Sequence, residues 1–318
     1  MASEAHSSSG ILLLDKPVGE SSFAALYPVK RAFGGKKGAK IGHAGTLDPA
    51  ASGLLVVGVG AGTRLLEFLE AMPKSYRFRL HLGIETDTYD LEGEVRARKD
   101  ASHVTLAQLE AALRTFLGPI AQMPPAYSAI KIAGKRACDR VRDGETVTLA
   151  ARNIRIDRIE VLSFDTHDRT ALVEMDCSKG TYVRSLAHDV GQILGCGGAA
   201  DQIRRLAIGP FRVEDAIAPD NAGLDTLLPL EAAIADLPVL RVLDAGLAGL
   251  RNGNPLPANV FNVEKAPVAQ VVPEETEPEY AVFSENGILL CTATLDAIGR
   301  LCPRKVFPAS LDSGTASR

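Results

Sequence analysis

The sequence predicts an α+β protein: a mixed, mainly antiparallel sheet with helices, followed by a small all-β domain. Over the first 230 residues or so, strand and helix patterns alternate without the regular βαβ repeat of a parallel sheet. After about residue 236 the chain has short apolar runs and turn signals, such as Asn252-Gly253 and Asn286-Gly287, that are typical of a small all-β domain. The length of 318 residues is sufficient for two domains.

We expect a disordered tail at residues 1–9, a larger domain at 10–235, a β-domain at 236–307 and a second tail at 308–318. An apolar run predicts the first strand at 11–14, and Ser21 or Ser22 is a candidate cap for a helix running toward Phe33. A buried strand at 54–59 and a short helix at 64–70 follow.

The central elements are predicted from hydrophobic periodicity. Alternating apolar residues predict a strand at 75–82, and the spacing of Leu106, Leu109, Leu113 and Phe116 predicts a helix at 105–117 with these residues on one face. Further strands are predicted at 153–164 and 171–177. A helix at 182–194 should end at Gly195, because glycine is a common helix stop.

Composition excludes several classes of protein. Apolar residues are 46% and charged residues 23% of the chain, as in ordinary globular proteins. The five cysteines are odd in number and form no CxxC pair, so we expect neither disulfides nor structural zinc, and a cytoplasmic location. The start of the chain is not typical of a signal peptide, and no apolar run is long enough to suggest a membrane span.

The net charge of −4 conceals an uneven distribution. Residues 213–318 contain 15 acidic and seven basic residues, a net charge of −8, which leaves +4 for residues 1–212. Basic residues are densest between positions 28 and 40, where five lysines and arginines occur with no acid. Such a segment is either an ordinary solvated surface or a phosphate-binding one.

The sequence lacks three common motifs of cofactor-binding, metal-binding and serine-hydrolase sites. Gly58, Gly60 and Gly62 lie between a strand and a helix, but Thr63 stands where a dinucleotide fingerprint would have its next glycine, so a tight turn is the better interpretation. No two of the six histidines are three or four residues apart, and no GxSxG motif occurs. The sequence therefore predicts neither a metal site nor a serine hydrolase.

Two polar residues have competing interpretations. Asp48 is followed by Pro49, which is typical of a helix N-cap with proline in the first turn. Arg184 falls in the first turn of a predicted helix, where a cation does not favour the helix dipole, so it is either a solvated residue or one that meets an anion.

Taken in order, these segments resemble the TruB family of tRNA pseudouridine synthases. The resemblance rests on motifs along most of the chain: Gly10-Ile-Leu-Leu-Leu-Asp-Lys-Pro17, Gly42-His-Ala-Gly-Thr-Leu-Asp-Pro49, Lys74-Ser-Tyr76, Pro124-Pro-Ala-Tyr-Ser-Ala-Ile-Lys131, Cys177-Ser-Lys-Gly-Thr-Tyr-Val-Arg184 and Arg204-Arg205. It implies a pseudouridine synthase catalytic domain at 10–235. The C-terminal segment, with Leu250 to Pro255, looks like the small PUA-type domain that such proteins append.

The resemblance implies isomerisation of uridine to pseudouridine at position 55, in the T-loop of tRNA. The base is detached from C1′, turned and rejoined through C5, after it has been flipped out of the folded loop. The reaction requires no cofactor and no metal. The implied partner is tRNA, and the implied enzyme is a monomer with no membrane association and no obligatory protein partner.

The resemblance also implies residue roles. Asp48 is the catalytic carboxylate, and Arg184 pairs with it, favouring its charged form through bidentate hydrogen bonds. Tyr76 lies against the target base and takes part in proton transfer. His43 helps to take the base out of its stack, and Ile203 lines the pocket.

The remaining predicted contacts to substrate or RNA are less specific. They are Lys16, Arg64, Asp90, Lys131, Lys179 and Tyr182, which are expected to hold phosphates or to shape the site. Alternatively, Lys16 and Lys179 are ordinary surface lysines. Asp90 is alternatively a structural residue. Arg64 and Cys138 stand where relatives often have lysine and an aromatic residue. The acidic loop at 273–279 argues against strong RNA binding by the last domain.

Other functions stay open at the level of sequence. The main alternative is a non-catalytic RNA-binding or tRNA-folding factor on the same scaffold, against which the presence of Asp48, Tyr76 and Arg184 argues. A nucleotide-binding enzyme that uses the glycines at 58–62 is a third possibility. A guide-RNA-dependent relative would be a variant within the family, but the chain has no long basic tail to support it.

Overall fold

A large mixed sheet forms the centre of the N-terminal two thirds of the chain. The computed structural model describes residues 9–128, 130–132, 134–266 and 278–307. Residues 1–8 of the tail predicted at 1–9, the tail predicted at 308–318 and most of the acidic loop at 273–279 lie outside the described residues. The strands are β1 (Gly10–Lys16), β2 (Ile41–Ala44), β3 (Ser52–Val59), β4 (Lys74–Leu82), β5 (Ile84–Thr86), β6 (Val95–Arg98), β7 (Gly118–Gln122), β8 (Lys131–Ile132), β9 (Lys135–Arg136), β10 (Arg152–Asp165), β11 (Thr170–Cys177), β12 (Gly198–Ile208), β13 (Phe211–Arg212), β14 (Val239–Val242), β15 (Phe261–Lys265), β16 (Tyr280–Ser284), β17 (Leu289–Leu295) and β18 (Leu301–Val306).

The helices in the same described ranges are short. They are α1 (Leu26–Ala32), α2 (Leu66–Ala71), α3 (Leu106–Arg114), α4 (Ala137–Arg142), α5 (Val183–Ile193) and α6 (Asp244–Arg251). None of them is long and apolar enough to cross a membrane. Helices α3 and α5 pack on one face of the large sheet, where Leu109, Leu186 and Val190 join the apolar side of β4 and β11 in one buried cluster.

Within the described residues the large sheet has nine strands in the order β1-β3-β12-β4-β11-β10-β7, with β2 paired to β3 and β13 to β12. All pairs are antiparallel except β12 with β3, where Arg204 is opposite Ser52 and Arg205 opposite Gly53. The predicted mixed, mainly antiparallel sheet is confirmed. The alternation predicted for β4 is also present, since Tyr76, Phe78 and Leu80 are buried on one face.

A second sheet follows, with the five described strands in the order β15-β14-β16-β17-β18. It fits the predicted PUA-like domain, and helix α6 is an addition to the predicted strands. Leu289 and Phe307 from this unit pack with Leu65 and Leu69 in one buried apolar cluster. The two sheets therefore share apolar contacts, and the boundary at residues 235 and 236 stays a prediction.

Some predicted helix limits were wrong for local reasons. Helix α1 begins at Leu26, because Ser21 accepts a hydrogen bond from the amide of Ala24 in a preceding turn and Ser22 bonds elsewhere. A 3₁₀ turn at Gly60–Leu65 replaces the first part of the helix predicted at 64–70. Helix α3 begins after a capping box at Thr105, and Leu106 is exposed rather than on the buried face.

The glycine-rich segment at 58–62 is a tight turn, as interpreted from the sequence. A Cβ on Gly58 would lie 2.6 Å from the carbonyl carbon of Gly62, and one on Gly62 would lie 2.2 Å from the carbonyl oxygen of Gly10. The backbone segments approach so closely that side chains have no room.

Candidate active site

A cleft of about 430 Å³ opens where β12 enters between β3 and β4. Five residues predicted from the sequence line it: Asp48, Tyr76, Tyr182, Arg184 and Ile203. They come from a loop, two strands and the start of a helix, and they are up to 155 positions apart (48 to 203) in the chain. The fold therefore brings the central predicted residues together.

Asp48 lies in the loop between β2 and β3, and hydrogen bonds hold this loop on both sides of it. The hydroxyl of Ser22 accepts from the amide of Leu47 at 2.8 Å and donates to its carbonyl at 2.9 Å. On the other side, the amide of Gly19 donates to the carbonyl of Pro49 at 2.8 Å. No helix begins at Asp48, so the N-cap interpretation is wrong. The residue instead opens a turn in which the amide of Ala51 donates to its carbonyl at 3.0 Å.

Arg184 is buried beneath Asp48 and forms an ion pair with it. Its Nη2 lies 2.8 Å from Asp48 Oδ2, and the arginine side chain is 7% exposed whereas that of the aspartate is 48% exposed. The guanidinium also donates to the carbonyls of Thr88 and Tyr127, both at 3.0 Å. A single nitrogen faces Asp48, so the expected bidentate pairing is wrong. The arginine fixes a carboxylate that remains open to the cleft.

The second nitrogen of the guanidinium faces another carboxylate. Asp90 Oδ2 lies 3.5 Å from Arg184 Nη1. Asp90 is buried, and its Oδ1 accepts hydrogen bonds from the Thr88 hydroxyl at 2.5 Å and from the amide of Glu92 at 3.1 Å. Asp90 therefore orients the arginine from behind, which agrees with the structural alternative for this residue.

Tyr76 lies on β4 with its ring against the cleft, and it is 9% exposed. Burial raises the pKa of its phenol, so the group is protonated at neutral pH. Ile203 reaches the same cleft from β12 because the β12–β4 register shifts between Asp201 and Arg204. Gln202 has a φ of 49° at this bulge, and such irregularities commonly redirect a side chain toward a site.

Arg205 is a cleft residue for which sequence reasoning assigned no role. It is 1% exposed, lies directly opposite Tyr76 in the β12–β4 pair, and donates to the carbonyls of Leu54 at 2.7 Å and Gly45 at 3.1 Å. Gly53 permits this position: its φ is 101°, and a Cβ there would lie 2.3 Å from the Arg205 carbonyl oxygen. Two adjacent arginines within a strand were the available sequence signal.

Two lysines are buried near the same cleft. Lys16 is fully buried, and its ammonium donates to the carbonyls of Pro17 at 2.7 Å and Glu20 at 2.6 Å, with a longer contact of 3.5 Å to Pro49. The surface-lysine alternative for Lys16 is therefore wrong, and this residue shapes the loop beside Asp48. Burial lowers its pKa.

Lys74 donates to two carbonyls at the end of α2, at 2.8 and 2.6 Å. Its burial, with a smaller effect from the Arg205 guanidinium, lowers its pKa to about 8. Among the described residues, no carboxylate forms an ion pair with Lys16, Lys74 or Arg205. Lys74 and Arg205 line the cleft, and their charges give its floor a positive potential that fits an anionic substrate.

The other predicted contacts surround the cleft. Tyr182 precedes α5, and its backbone amide and carbonyl both bond to the side chain of Gln122, at 2.8 and 3.0 Å. Lys179 is exposed in the turn beside Gly180, which lines the cleft. Lys131 is in β8, but its side chain lies outside the described part of the structure.

His43 and Arg64 do not line the cleft. His43 is half-buried on β2, where burial, with a smaller effect from the Arg205 guanidinium, lowers its pKa and leaves the ring neutral at neutral pH. Arg64 donates to the carbonyl of Val306, and its guanidinium lies 5.5 Å from the ring centroid of Phe307. In the structure Arg64 therefore connects the 3₁₀ turn at Gly60–Leu65 to the end of β18 in the second sheet.

The described residues contain no cluster of potential metal ligands. No group of three or more histidine, cysteine, aspartate or glutamate residues in these ranges is arranged to hold a metal ion. The five cysteines are free thiols. The arrangement at the cleft is instead an open carboxylate, a buried guanidinium and a protonated phenol, which together suit nucleophilic and acid–base chemistry.

Comparison with known proteins shows which family the chain is similar to. The model of the TruB family pseudouridylate synthase N-terminal domain matches residues 30–183. The tRNA pseudouridine synthase B of Cereibacter sphaeroides is 45% identical over 255 residues, which are 78% of this chain and 83% of that protein. Its counterpart in Ruegeria sp. strain TM1040 is 40% identical over 94% of this chain and 96% of that protein.

Solved structures show the same fold. A Cbf5–Nop10–Gar1 complex contains a chain with a TM-score of 0.72 and 24% identity, covering 97% of this chain and 88% of that one. A second match, with a TM-score of 0.70 and 23% identity, comes from an H/ACA ribonucleoprotein bound to a substrate RNA containing 2′-deoxyuridine and covers 96% of this chain and 86% of that one.

Fold, cleft and relatives together define a pseudouridine synthase, an isomerase. The chain belongs to the TruB family. The predicted family, fold and class of reaction, the isomerisation of uridine in tRNA, are thereby confirmed.

Proposed function

We propose that this enzyme isomerises uridine 55 in the T-loop of tRNA and that Asp48 is its catalytic carboxylate. The observation that carries the proposal is the ion pair at 2.8 Å between a half-exposed Asp48 and a buried Arg184. A carboxylate fixed on one side by a buried cation and open on the other is directed at whatever enters the cleft. The positive floor of the cleft favours a polyanion such as RNA.

The proposed reaction breaks the bond from C1′ to N1 and forms a bond from C1′ to C5. Asp48 attacks either C6 of uracil or C1′ of ribose, and it is released when the new carbon–carbon bond has formed. The C5 proton leaves and N1 gains a proton, so atoms and charge balance without a cofactor. Tyr76 lies against the uracil, and its phenol, which is protonated at neutral pH, can donate the proton that N1 gains.

The target uridine must leave its stack to reach Asp48, which lies inside the cleft. We assign Ile203 to the pocket wall and His43 to the space that the flipped base vacates. The neutral ring of His43 suits stacking against bases. Lys179 and Tyr182, at the rim and wall of the cleft, are proposed to meet the RNA backbone, as is Lys131. The monomeric state and the cytoplasmic location remain predictions.

Asp48→Asn tests the proposal, because it keeps the size of the side chain and removes its charge and nucleophilicity. Wild type and variant are incubated with an unmodified tRNA transcript, and pseudouridine is mapped by carbodiimide labelling. We expect conversion at position 55 by the wild type only, with tRNA binding retained in both. Asp15→Asn is the matched control, since Asp15 is also paired with an arginine, Arg204, at 2.7 Å, but does not line the cleft.

Two outcomes would contradict the proposal. Near wild-type conversion by Asp48→Asn would remove the catalytic role of this residue. A wild-type protein that refolds tRNA without forming pseudouridine would support the alternative of a non-catalytic folding factor.

A further inference from the structure

An exposed pair of aromatic rings with a lysine lies beside the loop that carries Asp48. Phe23 is 56% exposed and Tyr27 is 53% exposed. Their rings meet edge to face with centroids 5.5 Å apart, and the Lys30 ammonium lies 4.0 Å from the centroid of the Phe23 ring. We call these three residues the aromatic–lysine surface. The two exposed rings are not needed to pack α1 against the core, because α1 buries Leu26 and Val29 there.

This surface is close to the cleft. Phe23 follows Ser22, which bonds in both directions to Leu47, the residue before Asp48. The amide of Gly19 bonds to the residue after Asp48. An RNA whose target base reaches Asp48 therefore has its neighbouring nucleotides within reach of this surface.

The charge around the surface favours a polyanion. Along the chain no acidic residue occurs from position 21 to position 47, whereas five basic residues occur there: Lys30, Arg31, Lys36, Lys37 and Lys40. Of these, Arg31 is paired with Asp220 at 3.5 Å, and the charge of the surface rests on the lysines. Lys37 and Lys40 are exposed. A second copy of this chain would bring like charges together on this surface, and two aromatic rings provide only a fraction of the area of a stable dimer interface.

We propose that the aromatic–lysine surface binds a second, unpaired nucleotide of the RNA substrate, outside the cleft that takes the target uridine. The nucleotide's base stacks on Phe23 and Tyr27, as unstacked RNA bases do on exposed aromatic rings. Lys30 moves from the rings to the adjacent phosphate, which costs little because a cation–π contact at an exposed site is weak. This inference rests on the proposed action on tRNA.

The test measures binding and turnover of an unmodified tRNA transcript by full-length variants. Phe23→Ala should weaken binding roughly 5- to 150-fold, the usual effect of losing one stacked base. It should leave kcat unchanged at saturating tRNA, since Phe23 does not line the cleft. Lys30→Met should reduce the slope of log affinity against log salt by about one, and Phe23→Ala should not change that slope.

Two controls separate stacking from other effects. Tyr27→Phe keeps the ring and should bind as the wild type does. Leu224→Ala removes another exposed apolar side chain, 66% exposed, and should also have no effect. Thermal unfolding of each variant checks that the fold is retained.

The outcomes distinguish this inference from the proposed function. If the wild type forms no pseudouridine in tRNA, the proposed function fails. If the wild type is active and Phe23→Ala binds tRNA within twofold of it, the surface does not bind RNA. A wild-type dimer in sedimentation that Phe23→Ala converts to monomer would instead make the surface a contact between copies of this chain and overturn the inference.

Discussion

Replacement of Arg184 by lysine should disable catalysis without removing RNA binding. The guanidinium pairs with Asp48 at 2.8 Å and with Asp90 at 3.5 Å, and it donates to two backbone carbonyls at 3.0 Å. A lysine ammonium is a single point of charge and cannot serve groups on both sides of a planar guanidinium. At least two hydrogen bonds from a charged donor are lost, and each contributes about 1.5–3 kcal/mol.

These losses predict a large decrease in turnover. If about 3 kcal/mol of this lost hydrogen-bond energy had oriented Asp48 in the transition state, the activation free energy rises by that amount. The kcat then decreases on the order of 100-fold, because 1.36 kcal/mol corresponds to a factor of about ten. The KM for tRNA should change by less than about threefold, since Arg184 is buried and meets little of the RNA.

The assay follows release of tritium from tRNA labelled at C5 of uridine, because the C5 hydrogen leaves when the new bond to C1′ forms. Arg204→Lys is the matched control. Arg204 precedes a cleft residue on β12 and pairs with Asp15 at 2.7 Å, but it is far more exposed and should lose less than about threefold in kcat. An Arg184→Lys enzyme with more than a third of the wild-type kcat, or with a raised KM and normal kcat, would refute the reasoning.

Four further predictions concern single residues of the site and of the contact between the two sheets. Tyr76→Phe should lower kcat by about 10²–10⁴-fold at little cost in thermal stability, if its phenol transfers a proton; an active variant would restrict Tyr76 to stacking. Arg205→Met removes the donor to the buried carbonyl of Leu54 and to the part-buried carbonyl of Gly45, so denaturant unfolding should show a loss of about 1–3 kcal/mol, and an unchanged midpoint would contradict the described bonds. The free energy of unfolding should increase as the pH rises from about 8 toward 10.5, because in this range Lys74 is protonated in the unfolded chain and deprotonated in the folded chain. Lys74→Met should lack this increase, and an increase that persists in the variant would come from other groups. Arg64→Ala should make the C-terminal sheet more susceptible to limited proteolysis, and equal cleavage rates would mean that its bond to Val306 contributes nothing.

The elements of the fold were accessible from sequence where periodicity was strong. The alternation in 75–82 predicted β4 because one face of that strand is buried against helices, so its pattern is simple. Helix starts were less accessible. Serine is a common helix cap, but the Ser22 hydroxyl bonds to Leu47, which is 25 positions away. The residues around Ser22 give no indication of such a distant partner.

The site was predicted in part for the same reason. Asp48 and Arg184 were paired through a family resemblance, and the structure brings them to 2.8 Å. Asp90 was expected as a possible RNA contact, yet it faces the buried arginine. Burial of Lys16 and Arg205 was not predictable, because their partners are backbone carbonyls, which are present at every position and carry no identity in the sequence.

The position of β12 has a consequence for how the protein is made. This strand lies between β3 and β4, although more than 110 residues separate β4 from it in the chain. A ribosome therefore produces β3 and β4 long before the strand that fills the gap between them. The edges of these two strands have to remain unpaired until residue 208 has emerged, and such edges are vulnerable to aggregation. A nascent chain that ends before β12 lacks Arg205 and with it the floor of the cleft. Enzymatic activity therefore shows that β12 has been synthesised and has paired with β3 and β4.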